Sequence, residues 1–148
     1  MFFKKNEGYV GVDASLAIIL LLIFIPTMVS LIYGINISTK ASERKASGLN
    51  IMINVLETAK LTEMNDTYLE TLQGSLESIY GEAILAGDTI TFSAEDDEKN
   101  RYSITVEVTD YADGKENVQE NVVKTVKVTA KYKLNNQEKE LDISTVVT

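Results

Sequence analysis

The sequence predicts an α+β protein in which one long N-terminal helix, membrane-spanning in its first half, packs on a C-terminal antiparallel sheet of about four strands. Three observations lead to this class. An uncharged run of 26 residues extends from Ala14 to Thr39, an apolar pattern of helical period continues to Leu61, and apolar and polar residues alternate from Ile90 onward. A period of 3.6 residues indicates a helix, and a period of two indicates strands that bury one face.

The uncharged run is long enough to cross a membrane, because a bilayer core needs about 20 apolar residues in a helix. A secretory signal peptide has a shorter apolar region and ends at a small-residue cleavage site, so residues 9–39 are predicted to remain as an anchor. Lys4 and Lys5 precede the run and charges of mixed sign follow it, which predicts a cytoplasmic N-terminus and an outer domain of residues 40–148. Pro26 removes one backbone hydrogen bond and predicts a bend in the helix.

The helical pattern continues beyond the run and then repeats in a second, shorter helix. One continuous helix from about Tyr9 to Leu61 is predicted, and its outer half carries an amphipathic face. Asp66 is predicted to cap a second helix that ends at Tyr80, with Gly81 as the stop. The apolar face of the outer half of the first helix consists of Leu49, Met52, Ile53, Leu56 and the stem of Lys60, broadened by Ile51, Val55 and Ala59.

Four stretches of alternating apolar and polar residues predict four strands. Polar connections at Glu95–Asn100, Tyr111–Asn121 and Asn135-Asn136 separate them, so consecutive strands are expected to pair as an antiparallel meander. The dry face of such a sheet needs a cover, and residues 49–61 of the first helix are the predicted partner. The inward positions are Ile90, Phe92 and Ala94; Tyr102, Ile104, Val106 and Val108; Val126, Val128, Ala130 and Tyr132; and Leu141, Ile143, Thr145 and Val147.

The composition excludes several classes of site. The chain has no cysteine and no histidine, which excludes disulfides, thiolate metal sites, thiol nucleophiles and imidazole bases. No serine or lysine lies in a recognisable nucleophile motif, so we expect neither an enzyme nor a cofactor. The net charge of −8 resides in residues 40–148, because Lys4 and Lys5 balance Glu7 and Asp13. An acidic outer domain disfavours nucleic acid, which rewards clusters of lysine and arginine.

Two acidic stretches and two short motifs allow further interpretations. Ala94–Asn100 and Asp110–Asn117 cluster the oxygen ligands that calcium prefers, but neither matches the EF-hand loop, and a solvated hairpin tip is the alternative. Asn36-Ile37-Ser38 and Asn65-Asp66-Thr67 match the pattern of N-glycosylation acceptors in a eukaryotic secretory context. Nothing else in the sequence points to that context.

The first residues carry a more specific pattern. A short basic leader ends at Gly8, the aromatic Tyr9 follows, and Asp13 stands at the fifth position after Gly8, directly before the apolar helix. This pattern resembles the class III signal of type IV prepilins and pseudopilins, and the order of helix and antiparallel sheet is similar to the pilin fold. The resemblance implies that residues 1–8 are a leader, that a prepilin peptidase cuts between Gly8 and Tyr9, and that the new amine is methylated.

The resemblance also implies partners and a location. An assembly ATPase and a platform membrane protein would draw the subunits out of the membrane, and their helices would pack with those of other pilin subunits as the core of a fibre. The chain would therefore begin as a single-pass membrane protein and end in an extracellular pilus or pseudopilus. The filament could be a type IV pilus or belong to a secretion, competence or tight-adherence machine. The alternative is a single-pass membrane protein whose outer domain binds a ligand or partner and does not polymerise.

Asp13 has two interpretations. In a water-poor fibre core, the ammonium of Tyr9 that cleavage creates would be a costly buried charge, and a nearby carboxylate would offset part of that cost. The family normally places glutamate at this position. The second interpretation makes Asp13 a membrane-surface residue or a helix cap, where the helix macrodipole favours a carboxylate.

Overall fold

The computed structural model describes residues 7–111 and 123–148, with side chains described from residue 11 onward. The chain forms two compact units, of which one ends at Ser42 and the other is Glu43–Thr148. The elements in chain order are α1 (Glu7–Leu61), α2 (Tyr68–Tyr80), β1 (Ala83–Ala86), β2 (Thr89–Glu95), β3 (Arg101–Asp110), β4 (Lys124–Leu134) and β5 (Gln137–Val147).

Helix α1 confirms the prediction of one continuous helix, because it runs for 55 residues without interruption. Pro26 lies inside it, and the predicted bend at this residue stays a prediction. The Thr27 hydroxyl lies 3.1 Å from the Ile23 carbonyl oxygen and 2.8 Å from that of Phe24, so it can donate to either oxygen in the turn around the proline. Such a donor is one way in which a spanning helix supplies hydrogen bonds near a proline.

The start of α2 corrects the predicted cap. Thr67, rather than Asp66, occupies the position before the helix, and it makes no side-chain capping bond. Asn65, the residue before Asp66, accounts for this difference. Its Oδ1 accepts hydrogen bonds from the backbone N–H and the hydroxyl of Thr67, each at 3.0 Å. This turn places Asp66 inside the connection. The predicted stop at Gly81 is confirmed, since its φ of +90° suits glycine.

The sheet is an antiparallel meander of five strands in the order β1-β2-β3-β4-β5. Four of them are the predicted strands, and the alternation in each places the predicted apolar positions on one face. The additional strand, β1, has only four residues and pairs with β2 across the turn at Gly87, which has a φ of +62°. Asn135 and Asn136 form the predicted turn between β4 and β5, with φ of 50° and 62°. Most of the predicted connection Tyr111–Asn121 lies outside the described residues.

The outer half of α1 and helix α2 lie on the dry face of the sheet, as the apolar pattern predicts. The centre of the buried face of α1 differs from the predicted one, because Ile53 is 45% exposed whereas Val55 and Ala59 are fully buried. The buried face of α1 is therefore rotated about the helix axis relative to the predicted one, and close packing at Gly48 explains this rotation. A Cβ at Gly48 would lie 3.2 Å from Tyr102 and 3.3 Å from Leu141. The helix therefore approaches the sheet through its smallest residue. The core includes Met52, Val55, Ala59, Tyr68, Leu72, Leu76, Ile90, Tyr102, Ile104, Val106, Val126 and Val128.

We predict that a fragment from about Lys40 to the C-terminus folds alone. Every buried apolar side chain of the described residues lies between Ile51 and Val147, so the unit Glu43–Thr148 contains its own core. A domain of about 100 residues can bury enough apolar surface to be stable. Circular dichroism should show helix and sheet together, and thermal unfolding should be cooperative. A disordered spectrum would mean that the core is not the one described, or that it folds only in contact with other chains.

Candidate functional site

The part of α1 that precedes Ser42 presents apolar side chains on all its sides. Every large apolar side chain from Val12 to Ile35 is 52–68% exposed. A helix that is apolar all round requires an apolar environment, which is a bilayer or the packed helices of other chains. One helix among the described residues, Gly11–Leu61, is long and apolar enough to cross a membrane.

Asp13 is the one charged residue between Gly11 and Thr39, and its side chain is exposed. It lies in the first turns of α1, four residues after Tyr9, and both residues belong to the same continuous helix. Residues four apart lie on one face of a helix, with their Cβ atoms about 6 Å apart. The Asp13 carboxylate therefore lies on the same face as position 9. The side chains of Gly8 and Tyr9 are outside the described part of the chain, and the predicted processing of these residues stays a prediction.

Three small residues, Gly11, Ala14 and Ser15, lie within two positions of Asp13 in the sequence. The Ser15 hydroxyl donates to the carbonyl oxygen of Gly11 at 2.8 Å, which satisfies this polar group within the helix. A Cβ at Gly11 would meet no described atom within 4 Å, and the same holds for Gly34. Packing within the described chain therefore does not require glycine at these two positions.

A polar cluster in the unit Glu43–Thr148 joins α1 to the hairpin between β2 and β3. The Tyr102 hydroxyl lies 3.0 Å from the carbonyl oxygen of Arg44 on α1 and 3.1 Å from Oδ2 of Asp96. Oδ1 of Asp96 accepts from the backbone N–H groups of Glu98 and Asn100 at 3.0 and 2.8 Å, and the amide of Asn100 donates to Oδ2 at 2.9 Å. The cluster fixes the tip of the hairpin against the helix.

Burial and hydrogen bonding in this cluster shift the pKa values of Tyr102 and Asp96 in opposite directions. Burial acts to raise the pKa of Asp96, but hydrogen bonds from Asn100, Tyr102 and Glu98 outweigh it and hold that pKa below its usual range. Burial, and then the hydrogen bond and charge of Asp96, raise the pKa of Tyr102 to about 12. The cluster therefore favours a carboxylate next to a neutral phenol.

The two acidic stretches do not form a metal centre in the described residues. Across residues 11–111 and 123–148, no group of three or more aspartate or glutamate side chains is placed to hold a metal ion. In Ala94–Asn100 the Asp96 oxygens already accept hydrogen bonds from the hairpin, which agrees with the interpretation as a hairpin tip. Most of Asp110–Asn117 lies outside the described residues, and Asp110 itself pairs with Lys124 at 2.9 Å.

An open groove of about 540 Å³ lies beside the polar cluster in the unit Glu43–Thr148. Its lining is mostly polar, with amides and carboxylates from α1 and from the tip of the β2–β3 hairpin. The lining includes Glu43, Ser47, Asn50, Asn54, Asp96 and Asn100.

The raised pKa values of two buried tyrosines, Tyr68 and Tyr102, predict that the folded protein loses stability at alkaline pH. Burial raises the pKa of Tyr68 to about 12, as it does for Tyr102, from an ordinary value of 10.0. The folded state holds these protons more tightly, so the stabilisation is complete below pH 10 and is lost as the pH rises from 10 towards 12. Each group contributes on the order of 2 kcal/mol.

The check is the Tm of the unit Glu43–Thr148 as a function of pH. The Tm should fall above pH 10, and Tyr68→Phe, which lacks the ionisable hydroxyl, should show a smaller fall. This variant also loses the 2.9 Å hydrogen bond to the Ala59 carbonyl oxygen, so its Tm at pH 8 serves as its own reference. Equal alkaline slopes for the two proteins would contradict the assignment to Tyr68.

No protein-family model matches the chain, and neither a curated protein nor a solved structure matches it.

The structure brings Asp13 onto one face with position 9 and leaves Pro26 thirteen residues further along the same helix. Sequence patterns did not reveal the cluster of Arg44, Asp96 and Tyr102. Its members look like a helix surface, a turn and a core position, and no local signal connects them.

Proposed function

We propose that this protein is a structural subunit of a type IV pilus-like filament, as a major pilin, a minor pilin or a pseudopilin of a related secretion, competence or tight-adherence machine. The observation that carries the proposal is a single carboxylate, Asp13, one helical turn after Tyr9 at the start of an otherwise uncharged helix. The α+β fold that follows this helix supports the proposal, because it matches the helix-then-sheet order of pilins.

The physical argument concerns a charge in an apolar environment. Cleavage after Gly8 would give Tyr9 an ammonium group at the end of a helix whose exposed surface is apolar. When such helices pack together, an unpaired ammonium loses its hydration, and the effective penalty is several kcal/mol. Asp13 lies on the same helical face as Tyr9 and can neutralise the ammonium of its own chain or of a neighbour.

In this function the protein has no catalytic site, and its partners act on its N-terminal segment. A prepilin peptidase removes residues 1–8, and an assembly ATPase and a platform membrane protein move the processed subunit from the bilayer into the filament. The apolar surface of α1 suits both environments, since a bilayer core and a bundle of helices are both poor in water. The subunit is first a single-pass membrane protein and then part of an extracellular pilus or pseudopilus.

The second candidate is a membrane protein that binds a ligand or partner through its outer unit and does not polymerise. The open polar groove beside Asp96 and Asn50 is the observation that favours it. This candidate needs neither removal of the leader nor the carboxylate at Asp13, so processing of the N-terminus separates the two functions.

The deciding experiment is intact-mass analysis of the protein isolated from the cells that produce it. We expect a chain that begins at Tyr9, with a small additional mass on the new amine if it is methylated. A chain that retains residues 1–8 would refute the pilin function and favour the second candidate.

A further inference from the structure

Two Asn-x-Ser/Thr motifs occur in the chain, and the structure places them in different environments. Asn36-Ile37-Ser38 lies within α1, inside the uncharged run. Asn65-Asp66-Thr67 lies in the connection between α1 and α2, and all three of its residues are exposed. A surface loop is where an N-linked saccharide is accepted, because the bulky product must project into solvent.

The local geometry also separates the two motifs. Within a helix, the backbone N–H of the third residue is committed to the carbonyl oxygen four residues earlier, so Asn36 is not offered the N–H of Ser38. In the exposed motif, Oδ1 of Asn65 accepts from both the backbone N–H and the hydroxyl of Thr67 at 3.0 Å. Nδ2 of Asn65, by contrast, donates no hydrogen bond to any of the described residues.

We propose that Asn65 is the attachment site of an N-linked saccharide. The donor is a saccharide carried on a polyprenyl phosphate or pyrophosphate, and the enzyme is a membrane-bound glycosyltransferase that works on the outer side of the membrane. The proposal rests on the exposed motif, on its geometry and on the predicted outward orientation of residues 40–148, and it does not require that the protein polymerises.

The transfer step balances without any oxidant or reductant. A bond forms between Nδ2 of Asn65 and the anomeric carbon of the sugar, while the bond from that carbon to the phosphate oxygen breaks. The proton leaves Nδ2 for a basic group of the transferase, and the lipid phosphate or pyrophosphate departs with the electron pair of the broken bond.

The hydroxyl of Thr67 explains why a motif of this composition suits the step. An amide nitrogen is a weak nucleophile, because its lone pair is shared with the carbonyl. Negative charge collects on Oδ1 of Asn65 as Nδ2 gives up its proton, and the two donors from Thr67 stabilise that charge. The geometry that activates the amide is therefore already present in the folded chain.

The loop is also held in place while its polar tip stays accessible. Tyr68, the first residue of α2, is 1% exposed, and its hydroxyl donates to the Ala59 carbonyl oxygen in the last turn of α1 at 2.9 Å. The backbone N–H of Tyr68 also donates to the Asn65 carbonyl oxygen at 3.0 Å. Core packing thus anchors the loop next to Asn65, and a saccharide can be added without opening the fold.

The test uses the full chain isolated from the cells that produce it. Trypsin cuts after Lys60 and Lys99, so Asn65 lies in the peptide Leu61–Lys99, and mass spectrometry reports its modification separately from that of Asn36. We expect saccharide mass on the peptide Leu61–Lys99, located at Asn65 by fragmentation, and none on the peptide that contains Asn36. An unmodified peptide Leu61–Lys99 would overturn the proposal.

Matched variants keep the test independent of folding. Asn65→Asp retains an oxygen that accepts both hydrogen bonds from Thr67 but removes the amide nitrogen, and we expect complete loss of the saccharide. Thr67→Ser keeps the hydroxyl and should remain modified, Thr67→Ala should lose the modification, and Asn36→Gln should leave it unchanged. Saccharide retained in Asn65→Asp or in Thr67→Ala would overturn the assignment. Failure of the filament function would not alter any of these results.

Discussion

Replacing Asp13 by alanine is expected to abolish filament assembly while membrane insertion and leader cleavage continue. The change leaves both the apolar run and the Gly8–Tyr9 bond intact, so the steps before assembly are unaffected. In the fibre, the variant would strand the ammonium of Tyr9 without a partner. Removing one partner of a buried ion pair costs roughly 3 to 5 kcal/mol, and the cost recurs with every added subunit.

The measurement compares processed subunit in the membrane with subunit sheared from the cell surface. Two variants of similar size separate the effect of charge from that of shape. Asp13→Glu keeps the charge and should assemble, whereas Asp13→Asn keeps hydrogen bonding without charge and should assemble poorly. If Asp13→Ala gave as much surface filament as the unchanged protein, the ion pair would be wrong and the helix-cap interpretation would stand.

Replacing Gly8 by valine is expected to block removal of the leader almost completely. A peptidase that acts at the membrane surface must accommodate the residue before the scissile bond in a narrow site, and a branched side chain does not fit where glycine does. Without cleavage there is no ammonium on Tyr9, and Asp13 has no charge to neutralise. We therefore expect full-length protein in the membrane and no filament.

The check is the apparent mass of the membrane-bound protein in Gly8→Val and Gly8→Ala. Alanine adds one methyl group and should slow cleavage less than valine does, which makes it the matched control. A mature N-terminus at Tyr9 in Gly8→Val at the normal level would contradict the assignment of the leader. This result would also remove the support for methylation of that amine.

The long helix and most of the sheet could be predicted from the sequence, because their signals are local. A run of apolar residues, a helical period that extends to Leu61 and a stop at Gly81 each depend on neighbours within a few positions. Strand β1 was not predicted, since its four residues carry too short a pattern and Ile84 faces solvent at 57% exposure. Pairing with β2 is what makes it a strand.

The N-terminal candidate site was also accessible to sequence reasoning. The four-residue spacing of Tyr9 and Asp13 needs only a helix to place both residues on one face, and a helix is specified by local propensity and pattern. The turn at Asn65 was not predicted, because both Asn65 and Asp66 can initiate a turn or cap a helix. The structure selects Asn65, which accepts both donors of Thr67.

The sequence by itself determined that a helix with an uncharged first half precedes an acidic domain with an antiparallel sheet, since composition and periodicity act over short distances. The tertiary structure alone decided which face of α1 is buried and how the β2–β3 hairpin is joined to it. The Tyr102 hydroxyl meets the Arg44 carbonyl oxygen across 58 positions of sequence, and Gly48 packs against Leu141 on the last strand. An alternating pattern identifies which residues avoid water but not which of them meet, because contact between distant segments depends on the shape of the whole core.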